Sequence, residues 1–219
     1  MKEIFPGIWK KGNRLFTANL LPGQRIFTKN LVRFKGREFR EWDPYRSKPA
    51  AAILNGLKTF PLEKSQKILY LGIASGSTAS FFSDIIGRDG IIYGVEISER
   101  SIRDLNPVAE SRKNIVPILA NARKPEDYSW IEPVDIVYQD VATDDQSEIL
   151  IRNCHAFLKK TGFAIIAIKA RSIDVTKPPK QVYRQEMKKL EKEFRILDRV
   201  KLGPYELDHL FLVMKWKSS

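Results

Sequence analysis

The sequence predicts an α/β protein in which a small antiparallel β domain precedes a larger doubly wound domain. Two observations lead to this prediction. Short alternating segments broken by turn residues fill the first 45 residues, and apolar strands alternate with helices from residue 67 onward. Short strands joined by tight turns are typical of an antiparallel sheet, whereas strands separated by helices are typical of a parallel one. We therefore expect one domain at residues 1–45 and a second at residues 46–219.

The first domain is predicted to consist of β-hairpins. Turn-forming pairs containing glycine separate its segments, and a glycine in a tight turn can adopt backbone angles that other residues avoid. Between the turns lie three segments that mix apolar and basic residues. We expect strands at residues 14–17, 25–28 and 31–34.

The second domain is predicted from apolar runs that alternate with helical segments. We expect strands at 67–72, 91–97, 115–120, 134–141 and 163–170, and helices at 49–57, 78–86, 99–105, 146–160 and 180–193. The last two apolar runs, 194–202 and 209–217, have no helix between them, so we expect them to pair antiparallel. Five parallel strands followed by an antiparallel pair form the pattern of the Rossmann-like seven-stranded sheet of class I methyltransferases.

The charge of the chain indicates a polyanionic partner. The 219 residues include 38 Lys+Arg and 26 Asp+Glu, a net charge of +12, and such an excess most often serves nucleic-acid binding. No apolar run approaches the roughly 20 residues that span a bilayer, and no leader peptide is recognisable, so we expect no membrane association. The single cysteine, Cys154, excludes an internal disulfide, and with two histidines it supplies few soft ligands for a metal.

A glycine-containing loop follows the first strand of the larger domain. In the segment "LYLGIASGSTASFF", Gly72 and Gly76 allow a sharp turn and close approach to a ligand, and Ser77 and Thr78 can cap the next helix. The glycines lie four residues apart and no Walker lysine follows, so neither a phosphate loop nor a dinucleotide fingerprint is present. The loop lies where doubly wound sheets bind nucleotide-like ligands.

Two further polar positions favour an adenosine ligand without a pyrophosphate. Glu96 ends the second strand of this domain, where a carboxylate can accept hydrogen bonds from ribose hydroxyls. Asn121 and Ala122 follow the third strand, where an adenine ring would lie. A strand-end carboxylate facing water and an ordinary turn asparagine are the alternative interpretations. Together with the loop, these positions favour S-adenosylmethionine over NAD.

Polar residues also end the fourth and fifth strands and begin the last one. Asp140 and Lys169 stand at the carboxyl ends of parallel strands, and His209 opens a strand that runs the other way. All three therefore belong to one edge of the sheet, and Lys48 precedes a helix that could close over it. Individually, these residues could be a loop-capping carboxylate, a lysine reaching water and a structural histidine. Their convergence beside the predicted ligand loop favours a catalytic role.

These segments resemble the fibrillarin family of RNA 2′-O-methyltransferases over nearly the whole chain. The resemblance is carried by "EWDPYRSKPAAAIL", "ILYLGIASGST", "VDIVYQDVATDDQSEILIRN" and "AIKARSIDVTKPPK". In that family a Lys-Asp-Lys-His set surrounds the target ribose, and it matches Lys48, Asp140, Lys169 and His209. The resemblance also implies cofactor contacts at Gly72, Ser77, Thr78, Glu96, Ile97, Asn121, Ala122, Asp140, Val141, Ala142 and Thr143. Asn121, Ile97 and Thr143 replace an aspartate, an aromatic residue and a glutamine that are common in the family.

The resemblance implies a catalytic subunit of a box C/D ribonucleoprotein that uses S-adenosylmethionine. Its implied partners are a guide RNA, target rRNA or tRNA, a coiled-coil scaffold protein and a kink-turn-binding ribosomal-type protein. The sequence shows no Gly/Arg-rich tail, which favours an archaeal-type protein of the cytoplasm. Two alternatives stay open at this point: a protein glutamine methyltransferase with the same cofactor pocket, and a noncatalytic RNA-binding subunit.

Overall fold

The computed structural model describes residues 1–217, which form two β-sheets with helices. The first sheet is antiparallel and contains five strands: β1 (Lys2–Phe5), β2 (Ile8–Lys11), β3 (Arg14–Ala18), β4 (Leu31–Phe34) and β5 (Arg37–Trp42). Their order is β1-β2-β3-β5-β4. The predicted N-terminal antiparallel sheet is therefore confirmed. It contains three strands that the sequence did not indicate, β1, β2 and β5, and lacks the one expected at residues 25–28.

The second sheet has seven strands in the order β11-β12-β10-β9-β6-β7-β8. These strands are β6 (Lys67–Leu71), β7 (Ile91–Glu96), β8 (Ile115–Leu119), β9 (Val134–Gln139), β10 (Leu158–Lys169), β11 (Phe194–Lys201) and β12 (His209–Trp216). The pairs among β6 to β10 are parallel, and β12 pairs antiparallel with both of its neighbours. The predicted seven-stranded sheet is confirmed.

Helices cover both faces of this sheet. They are α1 (Lys48–Leu54), α2 (Ser77–Ile86), α3 (Glu99–Arg112), α4 (Gln146–Phe157), α5 (Ala170–Ile173) and α6 (Pro179–Leu190). Along β10, Ile165 belongs to the hydrophobic cluster that contains α1, α2 and α3, whereas Ile166 belongs to the cluster that contains α4 and α6. A strand buried on both faces needs apolar residues at every position, which explains the continuous apolar run of β10. Among the helices of residues 1–217, none is both long and apolar enough to cross a membrane.

Residues 25–28 form a turn rather than the predicted strand. Phe27 adopts φ +53°, which is incompatible with a strand. The Ile26 carbonyl accepts a hydrogen bond from the Arg40 guanidinium instead of pairing in a ladder. Ile26 and Phe27 pack against the core of the larger domain, so tertiary contacts override the local strand preference of these residues.

Four helix boundaries differ from the sequence prediction. Helix α1 ends at Leu54 rather than at residue 57, because Gly56 adopts φ +94° and turns the chain. Helix α3 continues past residue 105 to Arg112, since its buried face continues through Val108 and Ala109 while Pro107 is exposed. Helix α4 stops at Phe157, because Leu158 already pairs with β9. Helix α6 ends at Leu190 rather than at residue 193, because the chain there passes into tight turns in which Lys192 N donates to Lys189 O and Glu193 N to Leu190 O.

A buried ionic cluster joins the small sheet to the larger domain. The Asp84 carboxylate on α2 lies 2.8 Å from Arg40 Nε of β5 and 2.8 Å from Arg112 Nη1 of α3, and all three side chains are fully buried. Burial lowers the pKa of Arg40 to about 10, so this guanidinium stays charged at neutral pH. One carboxylate thus compensates two buried cations from different elements.

The two sheets also share a hydrophobic core. Ile8, Leu15 and Trp42 of the small sheet lie in the same cluster as Phe81 and Phe82 of α2, and the Trp42 ring stacks on that of Phe81 with centroids 5.3 Å apart. The small sheet therefore packs directly on the helix that follows the glycine-containing loop. The division of the chain at residue 45 into two domains stays a prediction.

Candidate active site

The four polar residues predicted to meet at the sheet edge line one cavity of about 320 Å³, here called the rim cavity. Asp140 follows β9, Lys169 ends β10 and His209 begins β12. In the antiparallel ladder between β10 and β12, Lys169 pairs directly with His209. Lys48 enters from the first turn of α1. The structure therefore brings all four side chains to one place, and their functional role stays a prediction.

Asp140 and Lys48 form an ion pair on the wall of the rim cavity. Lys48 Nζ lies 2.8 Å from Oδ1 and 2.9 Å from Oδ2 of Asp140. A lysine in the first turn of a helix is opposed by the helix dipole, and the carboxylate offsets this cost. Burial raises the pKa of the Asp140 carboxyl, although the Lys48 ammonium acts in the opposite direction. Asp140 is thus held by Lys48.

Lys169 presents an uncompensated ammonium group to the rim cavity. Its backbone is fixed by Gln146, whose Oε1 accepts from Lys169 N at 3.0 Å and whose Nε2 donates to Lys169 O at 3.2 Å. Within residues 1–217 the Lys169 Nζ atom makes neither an ion pair nor a hydrogen bond. A rigid backbone with a free charged side chain is suited to contact a ligand that enters the cavity.

Gln146 was not identified from the sequence, yet it joins two parts of the site. Besides Lys169, its Nε2 donates to Thr143 O at 2.7 Å, and its own carbonyl accepts from Gln139 Nε2 at 2.6 Å. The side chain is fully buried. A glutamine at the start of a helix is common, so nothing in the sequence distinguishes this one.

Arg46 is a second residue of the site that was not identified from the sequence. It also lines the rim cavity, and its position as a cation two residues before Lys48 is the signal that could have identified it.

His209 is arranged as a neutral hydrogen-bond acceptor. The imidazole is 5% exposed, and Nδ1 lies 2.7 Å from the carbonyl oxygen of Leu207. Since a carbonyl can only accept, Nδ1 carries the proton and Nε2 keeps its lone pair. Burial lowers the pKa of His209, and the nearby Lys48 ammonium lowers it further. The ring is therefore uncharged at neutral pH.

A second cavity of about 300 Å³ adjoins the rim cavity and is here called the Glu96 cavity. Both cavities are lined by Gly72, Ala74, Asp140, Val141 and Ala142. The Glu96 cavity also contains the other predicted cofactor residues: Glu96, Ile97, Asn121, Ala122 and Thr143. Ser77 and Thr78 line the rim cavity instead. The predicted cofactor residues thus follow a path through both cavities.

Glu96 is fixed by the backbone around it. Ala74 N donates to Oε2 and Ser98 N donates to Oε1, each at 3.0 Å. These two bonds hold the carboxylate at the cavity wall and also hold Ala74 at φ +51° in the loop. Each carboxylate oxygen has a second lone pair for a ligand donor. Two adjacent hydroxyl groups on a ribose match this arrangement.

Gly72 forms the floor between the two cavities. It adopts φ +76°, and a Cβ atom added to it would lie 2.8 Å from the carbonyl oxygen of Asp140. Only glycine combines this backbone angle with so close an approach. The loop after β6 and the segment after β9 can therefore touch, which leaves room for a ligand on their open side.

The sheet order and the two joined cavities at its carboxyl edge define the class of this protein as a Rossmann-like class I methyltransferase. The family model described as fibrillarin matches residues 1–218. The chain therefore belongs to the fibrillarin family.

The similarity to curated relatives extends over almost the full length. The fibrillarin-like rRNA/tRNA 2′-O-methyltransferase of Pyrococcus abyssi is 49% identical over 221 residues, which cover 98% of this chain and 97% of the relative. The fibrillarin pre-rRNA processing protein of Methanococcus jannaschii superimposes with a TM-score of 0.94 at 43% identity, covering 100% of this chain and 97% of that one.

Two further solved structures show related chains with a ligand or a partner. Aeropyrum pernix fibrillarin, described as a complex with natively bound S-adenosyl-L-methionine, has a TM-score of 0.85 at 50% identity and covers 92% of this chain and 88% of its own. A structure described as a fibrillarin/Nop5p complex has a TM-score of 0.87 at 39% identity, with 99% and 100% of the two chains covered.

Proposed function

We propose that this protein transfers a methyl group from S-adenosylmethionine to a ribose 2′-hydroxyl of RNA, as the catalytic subunit of a box C/D ribonucleoprotein. The observation that carries this proposal is the junction of the two cavities at Asp140. One cavity has the size and polarity for an adenosine, and the other presents a free lysine. A methyl donor and a nucleophile can thus meet at one point.

The residues of the Glu96 cavity fit S-adenosylmethionine. Glu96 would accept from both ribose hydroxyls, and Ile97, which is 66% exposed, would cover one face of the adenine. Thr143 Oγ1 is buried without a hydrogen-bond partner among residues 1–217, so a ligand can satisfy it. In the rim cavity, the first turn of α2 at Ser77 and Thr78 would hold the methionine carboxylate, because helix N-termini favour anions. Bound there, the cofactor supplies the methyl group as an electrophilic sulfonium.

The rim residues would align the hydroxyl and manage its charge. Lys169 would donate a hydrogen bond to the 2′-oxygen and stabilise the negative charge that develops as the proton leaves. The proton acceptors on the cavity wall are the Asp140 carboxylate, whose pKa is raised by burial, and the neutral Nε2 of His209. Lys48 would keep Asp140 in place through their ion pair.

The proposed RNA target and protein partners are those that membership of the fibrillarin family implies. A relative has been solved as a fibrillarin/Nop5p complex, and we propose an equivalent scaffold protein for this chain. A guide RNA would select target rRNA or tRNA by base pairing, and a kink-turn-binding protein would complete the particle. The net charge of +12 supports binding of RNA phosphates without sequence preference. The cytoplasmic location expected from the sequence stays a prediction.

The experiment that tests this function is reconstitution with guide RNA, scaffold and kink-turn proteins in the presence of S-adenosylmethionine labelled on its methyl group. We expect the label in the RNA, at the nucleotide selected by the guide, and at a new nucleotide when the guide is changed. Label in the protein fraction would favour the glutamine methyltransferase alternative. RNA binding without any label would favour the noncatalytic subunit.

Gly72→Ala is expected to weaken binding of S-adenosylmethionine by tenfold or more. The left-handed backbone angle costs about 1–3 kcal/mol for a residue with a side chain, and the new methyl group would displace Asp140 from the junction of the cavities. A cost of about 1.4 kcal/mol corresponds to tenfold in affinity. Calorimetric titration measures the effect.

Gly12→Ala is the control, because Gly12 has φ +57° but nothing within 4 Å of an added Cβ. Unchanged affinity in Gly72→Ala would show that the close approach of Gly72 to Asp140 is not needed for cofactor binding.

Asn121→Asp is expected to leave cofactor affinity unchanged or to raise it by no more than about tenfold, the contribution of one hydrogen bond. Asn121 Oδ1 accepts from Arg123 N at 3.0 Å, and an aspartate can keep this bond while its second oxygen accepts from the adenine amino group. The charge strengthens such a bond. The same titration measures the change. A large loss of affinity would show that the NH2 group of Asn121 donates to the ligand.

A further inference from the structure

A groove on the side of the sheet lies between α6 and the edge strand β11. It has a volume of about 440 Å³ and is here called the α6–β11 groove. Helix α6 contributes Lys180, Tyr183, Arg184 and Met187, which are spaced three and four residues apart and therefore share one helix face. Strand β11 contributes Arg199 and Lys201 from the opposite wall.

The four cations of the α6–β11 groove have no acidic partner within residues 1–217. Lys180, Arg184, Arg199 and Lys201 are exposed and form no ion pair there. The nearby acidic residues are engaged elsewhere. Glu186 of α6 points into the protein and accepts from Ser147 Oγ at 2.5 Å, and Asp198 accepts from the backbone N–H groups of Lys58 and Thr59 at 2.6 and 3.0 Å.

This arrangement favours an anion in the groove. Four like charges along one channel repel one another, and a bound polyanion relieves the repulsion and releases counterions. Other lysines of the same region do have partners: Lys177 is paired with Asp174 at 2.9 Å, and Lys189 with Glu148 and Glu186 at 2.8 Å. Other exposed cations of this region, such as Lys188 and Arg195, also lack an acidic partner among residues 1–217, and the groove is the place where four such cations line one channel.

The α6–β11 groove has Lys201 and Leu210 at the same end of the sheet as Lys169 and His209 of the rim cavity. Lys201 pairs with Leu210 in the ladder between β11 and β12, next to the pairing of His209 with Lys169. Two strand spacings separate Lys201 from Lys169, a distance of about 10 Å. Phosphates follow one another at about 3.4 Å along the axis of each strand of a duplex. Neighbouring phosphates are farther apart than this axial spacing, so a backbone that places a ribose at Lys169 can place a phosphate at Lys201 within about three nucleotides.

We propose that the α6–β11 groove holds the phosphate backbone of the RNA strand on one side of the methylated nucleotide. This inference rests on the proposed function, because the RNA must reach the rim cavity. Lys180 and Lys201 would contact the phosphates nearer to the rim, and Arg184 and Arg199 those farther along the groove. An acidic protein surface is the competing occupant; an RNA backbone is favoured because the RNA must also reach Lys169, which lies at the same end of the sheet as Lys201.

The test compares two doubly substituted full-length chains. Arg184→Glu with Lys201→Glu removes two groove cations. Lys64→Glu with Arg88→Glu makes the same change in charge far from the groove. Both residues are exposed and lie just before β6 and β7, at the amino ends of the parallel strands. Binding of a guide–target RNA duplex is titrated between about 50 and 200 mM salt, a range over which phosphate contacts weaken strongly. Methylation is measured in the reconstituted particle.

Each lost phosphate contact lowers the slope of log affinity against log salt by about 0.9, so we expect a fall of about 2 for the groove variant and a clearly smaller one for the control. The methylation rate at saturating RNA should be unchanged in the control with Lys64→Glu and Arg88→Glu. Equal slopes in the two variants would overturn the inference, as would loss of scaffold binding with an unchanged RNA slope. If the wild-type particle places no label in RNA while the groove variant still shows the smaller salt dependence of RNA binding, the proposed function fails, and the groove is shown to bind RNA phosphates without a role beside a methylated nucleotide.

Discussion

Lys169→Ala is expected to slow methyl transfer by about 10²–10⁴-fold, the usual contribution of a positioned group that stabilises charge or assists proton transfer. The reason is its place in the rim cavity: the backbone is clamped by Gln146, and the ammonium has no partner within residues 1–217. The Asp140–Lys48 pair and the Glu96 cavity do not depend on it. Cofactor affinity and thermal stability should therefore be nearly unchanged. Single-turnover methylation in the reconstituted particle separates the chemical step from RNA binding.

Lys160→Ala is the matched control for Lys169→Ala. It is the same residue type, it is exposed, and it lies near the beginning of the same strand, at the far edge of the sheet. We expect it to methylate at the wild-type rate. If Lys169→Ala also did so, Lys169 would be a strand-end lysine that merely reaches water, and the mechanism proposed above would be wrong.

Asp84→Asn is expected to destabilise the fold by about 3–5 kcal/mol, because removing one member of a buried ionic cluster leaves the others uncompensated. Here two guanidiniums, those of Arg40 and Arg112, would lose their common carboxylate in fully buried positions. The asparagine has the same shape, so the effect reports charge rather than packing. For a chain of this size the melting temperature should fall by about 10 °C. Denaturant titration and calorimetry both measure the loss.

Asp89→Asn is the control for Asp84→Asn, since Asp89 is exposed just beyond the same helix. A surface substitution of this kind usually changes stability by less than about 0.5 kcal/mol. Equal stability of the two variants would mean that water or structural relaxation compensates the buried arginines. Such a result would also weaken the view that this cluster fixes the small sheet on α2.

The parts of the fold that follow from periodicity could be predicted from the sequence. The seven strands of the larger sheet were located because each is an apolar run bounded by polar or turn residues. The antiparallel direction of β12 followed from the missing helix before it, and this direction placed His209 at the same edge as Lys169. The predictions of a strand at residues 25–28 and of an early end for α3 were wrong, because packing against the core, rather than local preference, determines the structure of these segments.

The positions of the site residues could be predicted, but their interactions could not. Strand ends identify which side chains reach the edge of a parallel sheet, which is why Asp140 and Lys169 were found. The pairing of Asp140 with Lys48 depends on where α1 packs, and the role of Gln146 depends on a buried contact between α4 and β10. Neither contact has a sequence pattern of its own.

The most direct test of the central claim is a comparison of two target RNAs in the reconstituted particle. They are identical except that one carries a 2′-deoxyribose at the nucleotide selected by the guide. The account predicts that the all-ribose target accepts one labelled methyl group from S-adenosylmethionine and that the 2′-deoxy target accepts none, although both bind equally. Equal labelling of the 2′-deoxy target would show that the methyl group goes to another atom, and it would contradict the assignment of the rim cavity to a ribose hydroxyl.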